Sequence, residues 1–445
     1  MKQLLIKNAT IINEGQSFRG SILIKDDIIS EIYTADINTP VDAQVIDASG
    51  YLLVPGVIDD QVHFREPGLE HKGEIYTEAK SAVAGGVTSY MEMPNTNPQT
   101  TTQEALANKY KIASEKSLAN YSFYIGATND NIDELLKTDP KNVCGVKIFM
   151  GSSTGNMLVD SESTLTRIFS EVPLLIATHC EDENTIQSNI KEFKNKYGDD
   201  VPFSYHHLIR SEEACYLSSK RAVELAKKTG ARLHVLHLST AKELELFDNN
   251  IPLEEKKITG EVCVHHLWFT NDDYDHYGAK IKWNPAIKTK NDRDELRKGL
   301  LNNKLDVVAT DHAPHTKEEK SNKYFKAPSG GPLVQHSLVA MLEMAEKGIF
   351  TKEQVVDKMC HAPAKLFQVD KRGFIRKGYK ADLVLIKKEN WKVSEDTILY
   401  KCKWSPFEDV TFSYKISKTF VNGHLVYNDG AFDESKKGER LLFDR

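Results

Sequence analysis

Short apolar runs recur along the middle of the chain, and nearly every one ends in a polar residue. They are VIDDQVHF (57–64), TSYMEM (88–93), YSFYI (121–125), GVKIFM (145–150), LLIATH (174–179), RLHVLHL (232–238), TGEVCVHH (259–266) and DVVATDH (306–312). Such short runs, rich in Val, Ile and aromatic residues, predict buried strands. Helix-like stretches separate many of them. SEEACYLSSKRAVELAKKTG (211–230) has apolar residues at helical spacing and a glycine stop, and Thr101 with Glu104 and Thr351 with Gln354 have capping-box spacing. About eight strands alternating with helices predict an α/β chain built as a (β/α)8 barrel. A doubly wound sheet would show the same alternation. The polar residues at the run ends favour the barrel, whose active sites gather at the C-terminal ends of its strands. The first fifty residues and the last seventy have a different texture, with β-runs punctuated by Gly and Asp, as in SILIKDDIISEIY and KTFVNGHLVY.

Composition narrows the function classes. The 445 residues carry a formal net charge of −6, which argues against a nucleic-acid binder. No apolar run approaches the roughly 18 residues that a membrane span needs, and the N-terminus lacks the features of a signal peptide. The expectation is a cytoplasmic protein with a small-molecule substrate, and with neither nucleic acid nor membrane as partner. Six widely spaced cysteines (144, 180, 215, 263, 360, 402) form no CxxC pair and read as buried free thiols. P-loop and GxGxxG patterns are absent, which argues against NTPases and dinucleotide enzymes.

The candidate chemistry sits at the run ends. Asp59, Gln61, His63 and Arg65 alternate along one run and are expected to project together. Lys147 lies in GVKIFM. His179 ends its run. His234 and His237 have odd spacing, so at most one is expected to face the barrel centre; His237 is the choice, and His234 reads as a packed or hydrogen-bonded histidine. One of His265 and His266 is expected to orient a neighbour. Several strand-end imidazoles plus the carboxylate of Asp311 suit zinc, and Asp311 is also placed to move a proton. Asn95 and Asn284 stand beside prolines in MPNTNP and KWNPAIK, as turn residues or as substrate ligands. GSSTGN (151–156) reads as a turn, and the segment 315–331 as a polar loop closing over the substrate.

These stretches together resemble the dihydroorotases of the amidohydrolase superfamily over nearly the whole chain. DDQVHFREPGLEHKG (59–73), MPNTNP (93–98), GVKIFMGSSTGNM (145–157), ATHCE (177–181), LHVLHLST (233–240), EVCVHHLWFT (261–270), KWNPAIK (282–288) and ATDHAPH (309–315) carry the likeness. The resemblance implies a barrel over 55–365 and a small β-sandwich assembled from 1–54 and 366–445. It implies one or two zinc ions held by His63, Lys147 (carbamylated), His179, His237 and Asp311. Asp311 would be the proton shuttle, and Arg65, Asn95, Asn284 and His315 would bind dihydroorotate, with Arg65 on its carboxylate. A homo-oligomer is the expected assembly. The sequence departs from the family at Gln61, where the HxH motif has its first histidine; a neutral amide is a poorer zinc ligand. Two other readings stay open: a cyclic amidase for hydantoin, dihydropyrimidine or allantoin, against which Arg65 argues, and a non-catalytic scaffold, for which Gln61 would be the mark. A substrate panel separates the first, and metal content with activity the second.

Overall fold

The computed structural model describes residues 3–35, 43–151 and 157–445. Both ends of the chain build one mixed sheet. Its strands are β1 (Gln3–Asn13), β2 (Gln16–Lys25), β3 (Ile28–Tyr33), β4 (Ala43–Asp47), β5 (Leu52–Pro55), then β15 (Leu383–Lys392), β16 (Thr411–Val421), β17 (His424–Asn428) and β18 (Ala431–Phe432). The order is β18-β17-β16-β15-β5-β1-β2-β3, with β4 beside β1. The β1–β2 hairpin turns on Glu14 and Gly15, both at positive φ, a two-residue turn whose twist matches the strands. Leu383 pairs with Pro55 and Ile386 with Leu52, so the two termini are joined through the ladder. Ile6, Ile11, Ile22, Leu53, Leu383 and Phe420 fill a core of their own beneath this sheet.

All eight apolar runs become barrel strands. They are β6 (Val57–Val62), β7 (Val87–Glu92), β8 (Asn120–Phe123) continued past Tyr124 as β9 (Ile125–Gly126), β10 (Val146–Phe149), β11 (Ile176–His179), β12 (Leu233–Val235), β13 (Ile258–Cys263) and β14 (Val307–Ala309). Every recorded pairing among them is parallel. Helices cover the outside. In Glu212–Thr229 the Ser211 hydroxyl accepts from Ala214 N, Glu212 and Glu213 oppose the positive end of the helix dipole, and Lys227 and Lys228 stand at the negative end. Gly230, at φ +77°, ends it in the left-handed region that glycine tolerates. Thr351 and Gln354 form the expected capping box, whereas the cap of Gln103–Lys116 is Thr102, one residue later than the spacing suggests. The six cysteines are buried and unbridged. Among the described residues no helix is long and apolar enough to cross a membrane. Residues 152–156, within the expected GSSTGN turn, lie outside the described set.

The barrel closes between its first and last strands. Val62 bridges His312, and Asp59 accepts from Thr310 Oγ1 (2.7 Å), Thr310 N (3.2 Å) and Gln61 N (3.3 Å). Asp59 therefore belongs to the seam and does not join the other three polar residues of its run. A register shift between Asp59 and Val62 marks a bulge in β6, which re-aims the side chains and breaks the expected alternation. Asp59→Ala would leave three donors without this acceptor and is expected to cost about 3 kcal/mol in denaturant unfolding. A loss under about 1 kcal/mol would remove Asp59 from the seam.

Candidate active site

A cavity of about 280 Å³ opens at the C-terminal end of the barrel, and it is lined by Gln61 and by the nine residues that the resemblance assigns to metal or substrate: His63, Arg65, Asn95, Lys147, His179, His237, Asn284, Asp311 and His315. Lys147 sits within β10 and His179 closes β11; His63, His237 and Asp311 lie one or two residues past β6, β12 and β14. Arg65, His237 and Asp311 adopt positive φ (75°, 39° and 47°). Non-glycine residues in that region cost on the order of 1–3 kcal/mol each, and such strain clusters at functional sites.

The hydrogen bonds fix which ring nitrogens face the cavity. Asn95 Oδ1 lies 2.8 Å from His63 Nδ1, so that nitrogen carries the proton and Nε2, 3.1 Å from Asp311 Oδ1, presents a lone pair. His179 Nε2 donates to Glu181 Oε2 (2.9 Å), which leaves its Nδ1 bare and 2.9 Å from His237 Nε2. Lone pairs of His63 and Asp311 thus face each other, His237 Nε2 stands against the bare His179 Nδ1, and buried His237 Nδ1 has no partner among the described residues. A divalent cation fits this donor set, because converging acceptors repel unless a cation lies between them. Burial lowers the pKa of His63 and His179, and of His237 strongly, which keeps these imidazoles neutral as ligands require. Burial likewise pushes the Lys147 amine down to about 8, and its Nζ lies 4.7 Å from the Phe149 ring centroid.

Glu181 was not visible as a functional residue in the sequence. Fully buried, it would be raised by desolvation, but Arg210 and His179 hold it down at about 2, so it stays a carboxylate. It orients His179 in the way outer carboxylates orient metal-binding histidines. A carboxylate two residues after a strand-end histidine is the signal that could have found it.

Gln61 turns its amide nitrogen to Asp311 Oδ1, 3.2 Å away, and so donates where an imidazole would present a lone pair. His234 is buried and hydrogen-bonded, as expected, and faces the barrel interior below His237, with Nε2 3.2 Å from Asp60 and 3.6 Å from Glu261. Strand β12 stops at Val235 and His237 lies in the left-handed region, so parity along the run does not decide its direction. Asp60, His234 and Glu261 form one close group of donors beneath the cavity, and Cys263, His265 and His266 another; only the His63–Asp311 set opens into the cavity itself. His266 Nε2 donates to Pro285 O (3.2 Å), next to Asn284.

The opposite wall is cationic. Arg65 Nε donates to Pro314 O (3.1 Å). Lys72 Nζ donates to His315 Nδ1 (3.2 Å), so His315 Nε2 carries the proton and donates to Ser329 O (3.0 Å). A protonated Nε2 cannot also accept from Arg65 Nη2, although they are 3.1 Å apart, which leaves that guanidinium edge for a ligand. Burial lowers Arg65 to about 10, still a cation at neutral pH. Asn284 Oδ1 is buried with no partner among the described residues. The 315–331 segment forms a wall: Lys320 Nζ donates to Pro328 O (2.9 Å) and Gly330 O (2.7 Å), and Lys282 Nζ to Tyr324 O (2.7 Å) and Ala327 O (2.6 Å).

Residues 52–426 match the amidohydrolase family. The chain belongs to that family. This amidohydrolase is 31% identical to the dihydroorotase of Methanosphaera stadtmanae over 436 residues, 96% of this chain and 97% of the relative. It is also 31% identical to the allantoinase of Bacillus velezensis over 439 residues, 97% of this chain and 95% of the relative. The L-hydantoinase (dihydropyrimidinase) from Arthrobacter aurescens shares its fold with a TM-score of 0.92 at 29% identity, over 97% of this chain and 98% of that one. The barrel with its β-sandwich is thus the amidohydrolase architecture, and the enzyme is a cyclic amide hydrolase. If Glu181 orients His179, Glu181→Ala weakens zinc affinity of the folded amidohydrolase about 10–100-fold in a chelator competition. An unchanged affinity would take Glu181 out of the site.

Proposed function

We propose that this amidohydrolase is a zinc-dependent dihydroorotase, which interconverts (S)-dihydroorotate and N-carbamoyl-L-aspartate in pyrimidine synthesis. The observation that carries the reading is the uncommitted guanidinium edge of Arg65, buried in the same cavity as the metal-binding donor set. Hydantoin, dihydropyrimidine and allantoin lack a carboxylate at the place where a charge-assisted, bidentate contact would recognise one. The allantoinase relative stands at the same identity as the dihydroorotase, so overall likeness leaves the choice to Arg65.

His179, His237, Lys147 as its carbamate, His63 and Asp311 would hold the metal. Zinc supplies an acidified water and a polarised carbonyl. Asp311 takes the proton from the attacking water and hands it to the ring nitrogen as the amide C–N bond breaks. Gln61 donates to the Asp311 oxygen that His63 also faces. Arg65 holds the substrate carboxylate, Asn284 Oδ1 accepts from a ring N–H, and His315 and Asn95 complete the wall. The same reading takes the enzyme as a cytoplasmic homo-oligomer.

A buried lysine with its pKa near 8 offers the neutral amine that adds to carbon dioxide. Labelling with 13C-carbon dioxide should give a carbamate signal in the wild type and none in Lys147→Ala; a signal in both would place the carbamate elsewhere. Because the Gln61 amide gives a donor to Asp311, the wild type should carry about one zinc per chain and Gln61→His about two. Two in the wild type would show that Gln61 is a sufficient ligand, and no dihydroorotate turnover without Gln61→His would favour a decayed scaffold. Arg65→Lys, which loses the planar fork, should raise KM for dihydroorotate about tenfold or more. An unchanged KM would remove Arg65 from the carboxylate.

A further inference from the structure

Arg65 holds its position against its own backbone preference. Its φ of 75° lies in the left-handed region, disfavoured for a side chain of this kind, and the strand β6 has already ended at Val62. One side chain holds the turn in place. Glu92, the last residue of the neighbouring strand β7, accepts from Phe64 N (3.0 Å) and from Arg65 N (3.2 Å) with the same oxygen, Oε1. Its other oxygen lies 2.7 Å from Lys109 Nζ, on the helix Gln103–Lys116, and Lys109 also donates to Met93 O (3.1 Å). Both side chains are essentially sealed from solvent, at 0% and 1% exposure.

A buried ion pair contributes little net stability over an apolar substitute of the same shape, since desolvation offsets the attraction. This pair is therefore poorly explained by stability alone. Its geometry does one specific thing: it places a strong acceptor under two consecutive amides at the turn that aims the Arg65 side chain. Lys109 faces the other oxygen of that carboxyl and ties it to the backbone of Met93, two residues before Asn95.

We propose that Glu92, supported by Lys109, is a positioning residue for substrate recognition: it fixes the backbone at Phe64–Arg65 so that the guanidinium edge meets the substrate carboxylate. Neither residue reaches the cavity or the metal-binding set. The inference rests on the reading of Arg65 as the carboxylate ligand. The bond acts through Arg65 on binding, so its loss should appear in KM and leave kcat and metal content nearly unchanged.

Two variants separate positioning from charge and from stability. Glu92→Asp keeps the buried ion pair but withdraws the acceptor by one methylene from the two amides. The double variant Glu92→Gln with Lys109→Met removes both charges but keeps a carbonyl oxygen at full reach. Positioning predicts that Glu92→Asp raises KM for dihydroorotate about tenfold, equivalent to about 1.4 kcal/mol, with kcat within about threefold and zinc per chain unchanged. It predicts that the double variant keeps KM within about threefold of the wild type. The proposal is overturned if Glu92→Asp leaves KM within about twofold, or if KM rises only in the double variant, which would assign the effect to charge. Arg65→Lys run alongside distinguishes the two layers. If it leaves KM unchanged, the carboxylate reading fails and takes this inference with it. If it raises KM while Glu92→Asp does not, the carboxylate reading stands and Glu92 has no part in it.

Discussion

The site is organised around lone pairs that are made to face one another. Nitrogen and oxygen groups from five different strands, carried by His63, Lys147, His179, His237 and Asp311, line one barrel mouth. In isolation that arrangement is unfavourable, because buried acceptors without a proton or cation between them lose their hydration and gain nothing. Everything around it keeps the donors from relaxing apart. Asn95 and Glu181 hold two of the rings from behind, and Gln61 holds Asp311 from one side. The Asp59–Thr310 bonds lock the first barrel strand to the last. A preorganised shell of this kind is what lets a metal bind without rebuilding its site.

The second feature of the mouth is its asymmetry. One wall collects acceptors and the other collects cations: Arg65, Lys72 and, behind the 315–331 segment, Lys282 and Lys320. The lysines spend their protons on backbone carbonyls, on His315 and on Glu319, which shapes the wall and leaves Arg65 as the cation with an uncommitted edge. A ring that carries an amide at one end and a carboxylate at the other matches both walls at once. Charge-assisted recognition of this type discriminates strongly against a ligand that lacks the group, since the buried partner is then left unpaired.

Much of this was legible in the sequence. The eight apolar runs with polar ends gave the barrel strands, and the residues at those ends gave the cavity, because period-2 patterning and strand-end function are both local properties. What stayed hidden depends on contacts between distant segments or on irregular backbone. Asp59 looked like a fourth member of the row because alternation assumes a regular strand, and the bulge in β6 removes that assumption. The parity argument that let at most one of His234 and His237 face the barrel centre fails where a strand is three residues long and the second histidine sits at positive φ. Glu181, Lys72, Glu92 and Lys109 were ordinary charged residues in the sequence; only the fold brings Arg210 to Glu181, His315 to Lys72 and the Phe64 and Arg65 amides to Glu92.

The central claim, that one cavity pairs a metal-binding donor set with a carboxylate-selective cation, is tested most directly by a substrate panel. The measurement is kcat/KM of the zinc-loaded chain for dihydroorotate, hydantoin, dihydrouracil and allantoin under one set of conditions. The account predicts dihydroorotate favoured by roughly 100-fold or more, the discrimination expected where a buried charged group would otherwise lose its partner. A carboxylate-free ring hydrolysed as fast as dihydroorotate, or faster, would contradict it.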